Sequence, residues 1–283
     1  MEQYYKLSET IKLVREYTFQ ILDENSSINV YTNIGLLYRI EKNIKKIISE
    51  DKLENVNTDA LFLGNYIQII EQVENKENRL DFEQKTKYID VVVANITQKF
   101  QLEKNCVEKA KNIAVQSMPN HDSLLIESQI LSDAIVMDFA CSQGRDRLKL
   151  MYEQMLLRNF GLSQSNWYDT LISILGNLST YTNYGKNTVQ PLIDKLLIDL
   201  KKERKALEKR KNLLVQKELQ ISDEEIKKLK KGLSKIRGRD DRGIQTLFRN
   251  TSRNHYKLNQ MVDGKARIMI TVNSIILSLI IGN

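Results

Sequence analysis

The stretch TDALFLGNYIQIIEQV, Thr58–Val73, is rich in large apolar residues. Its large apolar side chains are spaced three, four or seven residues apart, and positions with this spacing share one side of an α-helix. The stretch therefore predicts an α-helix, with Thr58 or Asp59 as its N-cap. The residues on which this prediction depends are Leu61, Phe62, Tyr66, Ile69, Ile70 and Val73.

The same spacing recurs along most of the first 200 residues. The chain of 283 residues has only two prolines and eleven glycines, fewer than strands joined by tight turns would need. We therefore predict an all-α fold, with one helical domain over residues 1–200. Further helical stripes are formed by Ile11, Val14, Thr18, Ile21 and Leu22, by Val30, Ile34, Leu37, Ile44, Ile47 and Ile48, and by Trp167, Leu171, Ile174 and Leu175.

The sequence changes character at Pro191, where apolar residues become sparse on a charged helix. Ser222 with Glu225 three residues later forms a capping box, which indicates the start of another helix. Narrow apolar seams fit a helical hairpin or a coiled-coil partner, and two solvated helices lying on the domain fit equally well. We expect residues 201–241 to form a basic stalk or hairpin. The first seam consists of Ile193, Leu196, Leu197, Leu200, Leu207 and Leu214.

Positive charge is concentrated in one part of the chain. Between Lys201 and Arg267 there are 21 Lys and Arg against 9 Asp and Glu, in a chain whose net charge is +7. Such a block is typical of nucleic-acid binding or of a segment that flanks a membrane. Residues 201–256 contain only Phe248 and Tyr256 for stacking on bases, so we expect no nucleic-acid partner.

The last segment, KARIMITVNSIILSLIIGN, Lys265–Asn283, contains an apolar run of 14 residues from Ile268 to Ile281. A helix that crosses a bilayer needs about 20 apolar residues. We therefore expect the sequence to stop inside a membrane helix of a longer protein, and a buried core helix is the alternative. Asn273 interrupts the run, and because an amide in lipid needs a partner, it predicts contact with another helix.

Residues that commonly carry catalysis are scarce. His121 and His255 are the only histidines, and neither has a second His or Cys at ligand spacing. Cys106 and Cys141 form no metal or disulfide pattern. Phosphate loops, nucleophile elbows and HExxH motifs are absent from the sequence. We therefore expect a protein that is not an enzyme and that needs no cofactor and no metal.

The region from Arg242 to Leu279 carries a longer motif. It resembles the membrane effector domain of bacterial Pycsar anti-phage systems, whose pattern is R-G-I-x-T-x-F-R followed by N-H-x-x-L-x-x-x-A-D-x-K-A-x-I-M-x-x-V-N-x-I-I. Val262 departs from it, since the family usually has Ala there. The resemblance implies that residues 242–283 begin a transmembrane effector domain. The matching residues are Arg242, Gly243, Ile244, Thr246, Phe248, Arg249, Asn254, His255, Leu258, Asp263, Lys265, Ala266, Ile268, Met269, Val272, Asn273, Ile275 and Ile276.

The preceding region is similar to the HD-type phosphohydrolase-like domain that is often fused in front of that effector. The segments SMPNHDSLLIESQILSDAIVMDFA and NLSTYTNYGKNTVQP carry the similarity. Active HD domains hold two metal ions through H…HD…D, and neutral or apolar groups cannot replace those ligands. The resemblance therefore implies a pseudo-enzyme that keeps the helical pocket without its metals. The corresponding positions are Thr32, Leu36, Gly64, Asn65 and Asp133, with Ile135 in place of the second Asp.

Together the two resemblances imply an anti-phage defence effector of the bacterial inner membrane with its N-terminal domain in the cytoplasm. That domain would sense a cyclic pyrimidine mononucleotide, cUMP or cCMP. The C-terminal segment would form a homo-oligomer that disrupts the membrane and aborts infection. The alternative is a membrane-tethered HD-type metal phosphohydrolase acting on nucleotides, which requires a metal beside Asp133.

Overall fold

A computed structural model of the protein describes residues 7–75, 82–118, 125–158 and 163–219. Within these ranges the chain forms nine α-helices and one π-helical turn without a strand, so the predicted all-α fold is confirmed there. The helices are α1 Glu9–Glu24, α2 Ile34–Glu50, α3 Thr58–Glu74, α4 Phe82–Phe100, α5 Lys104–Gln116, α6 Ile126–Met137, α7 Gly144–Arg158, α8 Gln164–Asn177 and α9 Gln190–Leu219, and the π-helical turn is Gly185–Val189.

Helix α3 is the centre of the first core. Its residues from Ala60 to Glu71 are all buried, and α1, α2, α4, α5 and α6 all contact it. A helix surrounded in this way is apolar on every side, which explains the density of large side chains in the stretch. The N-cap is Asn57, whose side-chain oxygen accepts the Ala60 N–H at 3.0 Å. The prediction of Thr58 or Asp59 was therefore wrong, because Thr58 already lies in the helix and Asp59 accepts from the Ser8 N–H instead.

Gly64 of α3 packs directly against α5. A Cβ atom at this position would lie 2.9 Å from Cγ2 of Ile113 and 3.1 Å from the carbonyl oxygen of Ala110. These distances are shorter than normal packing contacts, so a larger residue would push the two helices apart. Gly64 is thus a packing residue between two helices.

A second core lies beyond the end of α6, between α7, α8 and α9. The first part of the seam that follows Pro191 packs here, and Arg204 of α9 pairs with Asp169 of α8 at 2.8 Å. This part of the seam therefore lies on the helical domain. The buried side chains of this core are Val136, Ala140, Leu148, Trp167, Leu171, Leu175, Val189, Ile193, Leu196 and Leu200.

The chain divides into two compact units, Met1–Lys209 and Arg210–Asn283. Of the second unit, the structure describes only the end of α9. The predicted capping box at Ser222 and Glu225 and the predicted effector segment of residues 242–283 lie outside the described residues. Among the helices that are described, none is both long and apolar enough to cross a membrane.

Candidate functional site

A cavity of about 280 Å³ lies between α2, α3, α6, α7 and α8. Its volume is near the lower end of the range for small-molecule sites, about 300–1,000 Å³. Helix α3 contributes Asn65, Gln68, Ile69 and Gln72, which share one side of the helix. Gln68 is held in place, because its Nε2 donates to the Ala114 carbonyl at 2.7 Å and to the Ser117 hydroxyl at 2.8 Å.

Helices α7 and α8 supply a large part of the apolar lining. Two aromatic rings from outside these helices, those of Tyr31 and Phe139, also line the cavity, and they stack with their centroids 5.7 Å apart. Aromatic faces of this kind pack well against a planar ligand ring. The apolar residues from the two helices are Leu148, Met151, Met155, Trp167, Leu171, Ile174, Leu175 and Leu178, the last just after the end of α8.

Gln154 of α7 anchors the loop that precedes α2. Its Oε1 accepts from the backbone N–H groups of Tyr31 at 3.0 Å and Thr32 at 2.8 Å, and its Nε2 donates to the Thr32 hydroxyl at 3.0 Å. Both ends of the amide are therefore used within the protein. The three residues are buried and line the cavity, so this part of the wall is rigidly built.

The cavity also carries a charged cluster, formed by Glu71 and Asn75 of the α3 end, Lys85 of α4 and Arg158 of α7. Asn75 Nδ2 donates to Glu71 Oε1 at 2.9 Å. Burial raises the pKa of the Glu71 carboxyl, although the Asn75 hydrogen bond and the charges of Lys85 and Arg158 oppose this. Burial also lowers the pKa of the Arg158 guanidinium, which the charge of Glu71 only partly offsets. Both ions are thus incompletely compensated by the protein.

Three residues of this lining have a buried polar atom without a partner. Among the described residues, four buried side-chain atoms have no hydrogen-bond partner in the protein: Asn65 Nδ2, Asn75 Oδ1, Thr97 Oγ1 and Arg158 Nε. All but Thr97 belong to residues that line the cavity. Leaving a buried polar atom unpaired costs about 1–3 kcal/mol, so a concentration of such atoms in one cavity calls for a reason.

The residues predicted from the HD resemblance separate into two groups. Thr32, Leu36 and Asn65 line the cavity together with Ile135, which stands at the second Asp position. Gly64 instead faces α5. Asp133 is buried on α6, next to the lining residue Ser132, and does not itself line the cavity.

The segment that precedes the π-helical turn and α9 donates hydrogen bonds to Asp133. Its carboxylate accepts from the N–H of Tyr181 at 3.0 Å, the N–H of Thr182 at 2.8 Å and the Thr182 hydroxyl at 2.6 Å. Thr182 in turn caps the helical turn, because its Oγ1 accepts from the Gly185 N–H at 2.9 Å. Burial raises the pKa of Asp133, against these hydrogen bonds. We call Asp133, Tyr181, Thr182 and Gly185 the Asp133 clamp. The backbone N–H groups of Tyr181, Thr182 and Gly185 and the Thr182 hydroxyl all donate to the carboxylate or to the Thr182 oxygen.

In the part of the chain that the structure describes, no group of three or more His, Cys, Asp or Glu could hold a metal ion. Cys106 is half-buried and Cys141 is exposed. His121, His255 and all the predicted effector residues, namely Arg242, Phe248, Arg249, Asn254, His255, Asp263, Lys265 and Asn273, lie outside the described residues.

Sequence reasoning missed Glu71, Gln154 and Arg158. Glu71 could have been noticed in the sequence, because it is a carboxylate inside the apolar run of α3. Burying a charge costs free energy unless the charge has a partner. Gln154 and Arg158 could not have been noticed in this way, since both stand in an ordinary mixture of polar and apolar residues on α7.

The chemistry of the cavity must be argued from its own residues. Comparisons of the chain with protein-family models, with curated proteins and with solved structures each give no match.

Proposed function

We propose that the helical domain is a sensor that binds a cyclic pyrimidine mononucleotide, cUMP or cCMP, in this cavity. The observation that carries the proposal is that three residues with an unpartnered buried polar atom, Asn65, Asn75 and Arg158, line one cavity. A ligand that supplies acceptors to the two donors and a donor to the acceptor removes their desolvation cost.

The chemistry of the lining matches the parts of such a nucleotide. The Arg158 guanidinium suits a phosphate oxygen, because a charge-assisted hydrogen bond is stronger than a neutral one. The Asn65 amide suits a pyrimidine carbonyl, and the Tyr31 and Phe139 rings suit the face of a planar base. The small cavity volume favours a mononucleotide over larger ligands.

The C-terminal part of the proposal rests on the sequence. The motif of Arg242–Leu279 and the apolar run Ile268–Ile281, behind a basic segment, support a membrane effector. In this proposal the nucleotide-bound protein self-associates in the bacterial inner membrane and disrupts it, which ends phage replication by killing the infected cell.

The binding step is tested by isothermal titration calorimetry of the full-length chain with cUMP and with cCMP. We expect one of the two to bind, and Asn65→Leu to weaken it about tenfold or more through loss of one buried hydrogen bond. Thr97→Val is the matched control, because it removes the unpartnered polar atom that lies outside the cavity. If neither nucleotide gives a heat of binding, the sensing proposal is wrong.

The membrane step is tested by dye release from vesicles of phosphatidylethanolamine and phosphatidylglycerol. We expect the protein that carries the whole effector segment, including the part that we predict to follow Asn283, to release dye when the binding nucleotide is added, and Asn65→Leu to need a higher nucleotide concentration. Release that ignores the nucleotide would contradict the coupling, and no release under any condition would contradict the effector role.

A further inference from the structure

The charged cluster of the cavity holds two cations and one acid. Arg158 is fixed in position, since its Nη2 donates to the Gln72 carbonyl oxygen at 2.8 Å and to the Asn29 side-chain oxygen. Its Nε is buried and has no hydrogen-bond partner among the described residues, and Arg158 lines the cavity. Lys85 lines the same cavity, and Lys85 and Arg158 both act on Glu71 through their charges.

Glu71 is placed to oppose an incoming anion. It lies on α3 one residue before Gln72, whose carbonyl holds Arg158, and Asn75 fixes its carboxylate. As a carboxylate, it reduces the charge of the cluster from two positive charges to one. In a buried site each unbalanced unit charge is weakly screened, so the net charge of the site strongly affects which ligand charge is favoured.

We propose that Glu71 is a specificity-determining residue that makes the cavity select singly charged anions, such as a cyclic phosphodiester, over doubly charged phosphomonoesters. The proposal rests on the proposed function, because it concerns the same cavity. A cyclic nucleotide and its linear 5′-monophosphate share base and sugar, so charge is the main property that separates them in this site. The filter would keep abundant linear nucleotides from occupying the cavity.

The test compares cUMP with 5′-UMP, and cCMP with 5′-CMP, by calorimetry on the full-length chain. The titrations are run at about pH 8, where the monoester is doubly charged because its second pKa is about 6. We expect the wild type to prefer the cyclic form. In Glu71→Gln the monoester gains more than the diester, because it loses twice the repulsion, and the preference falls about tenfold.

Two further variants test whether the change in preference comes from the charge of the cluster. Glu127→Gln is the matched control, since Glu127 is a buried glutamate that pairs with Lys109 and does not line the cavity; it should leave the preference unchanged. Lys85→Gln, at a half-exposed position where the fold is not at risk, should raise the preference for the cyclic form. A preference that stays the same in Glu71→Gln and Lys85→Gln overturns the charge selection while nucleotide sensing stands.

Simple phosphates separate the two proposals. If the wild type binds no nucleotide, dimethyl phosphate and methyl phosphate are titrated in the same way. A preference for the dimethyl ester that Glu71→Gln reduces upholds the charge selection and overturns only the nucleotide as ligand. Binding of neither ester overturns both proposals.

Discussion

The Asp133 clamp and the charged cluster of the cavity are both buried polar regions, but their hydrogen bonds are distributed differently. In the clamp, the Asp133 carboxylate accepts hydrogen bonds from Tyr181 and Thr182, and the Thr182 hydroxyl oxygen accepts one from the Gly185 N–H. In the charged cluster, Arg158 and Asn75 each keep a buried atom without a partner in the protein.

The difference separates a structural role, for the clamp, from the binding role that we propose for the cavity. Buried polar groups that are fully paired hold elements together, whereas unpaired groups store a cost that a ligand can remove. The comparison also explains why Asp133, the one acid at the positions proposed from the HD resemblance, is a poor guide to the site: its oxygens already accept hydrogen bonds from the segment before the helical turn. Glu71, which the HD comparison did not indicate, lies in the cavity instead.

The same chemical change in the two regions tests this contrast with the largest expected effect. Asp133→Asn replaces an acceptor oxygen by an NH₂ group that faces the donors of Tyr181 and Thr182. We expect it to lower the free energy of unfolding by about 3 kcal/mol. Glu71→Gln removes a buried charge that has no salt bridge to a cation of the described residues, and we expect a change below about 1 kcal/mol. Urea unfolding of both full-length variants, followed by circular dichroism, measures the difference. Equal losses would end the distinction between the two regions.

A pair of glycines tests how tightly the clamp is packed. A Cβ at Gly185 would lie 2.1 Å from Asp133 Oδ2, so Gly185→Ala must displace the carboxylate or the helical turn. We expect a loss of about 2 kcal/mol. Gly176→Ala on α8 is the control, because a Cβ there meets nothing within 4 Å, and it should raise stability by about 0.5–1 kcal/mol. Thermal unfolding of the two variants checks the prediction, and a harmless Gly185→Ala would show that the clamp is loose.

The smallest expected effect is on the pH dependence of stability, and it concerns two buried glutamates whose pKa values shift in opposite directions. Burial raises the pKa of Glu71 above its ordinary 4.5. Glu127 is also buried, but hydrogen bonds from Lys109 and the Asn57 N–H hold its pKa below 4.5. The stability that Glu71 contributes is therefore fully present below pH 4.5 and is lost as the pH rises through its folded pKa. The contribution of Glu127 is present above pH 4.5 and is lost as the pH falls through its folded pKa.

The two Gln variants should therefore diverge with pH. Relative to the wild type, Glu71→Gln should become more stable as the pH rises from below 4.5, and Glu127→Gln should become less stable. Urea unfolding at a series of pH values gives both slopes. Slopes of the same sign would contradict the assignment of Glu71 as a desolvated carboxyl without full compensation.

The helical architecture was predictable from local patterns, and the site only in part. The apolar spacing of Leu61 to Val73 identified the central helix, although its N-cap at Asn57 was missed by one residue. Of the site, Thr32, Leu36 and Asn65 were proposed from a resemblance and do line the cavity, whereas Gly64 and Asp133 do not. The side of a helix on which a residue lies follows from the helical repeat of the sequence. Which other helix packs against that side, α5 in the case of Gly64, follows only from the arrangement of the helices.

The sequence by itself determined that this chain folds into helices, because helical periodicity is a relation between residues three and four apart. It also carries the membrane-effector prediction, which rests on residues 242–283 alone. Only the tertiary structure decided which polar groups are paired. Asp133 meets Thr182 from 49 positions away and Arg158 meets Gln72 from 86, and contacts across such separations follow from how helices pack. For this reason the distinction between the clamp and the cavity became visible only in the folded chain.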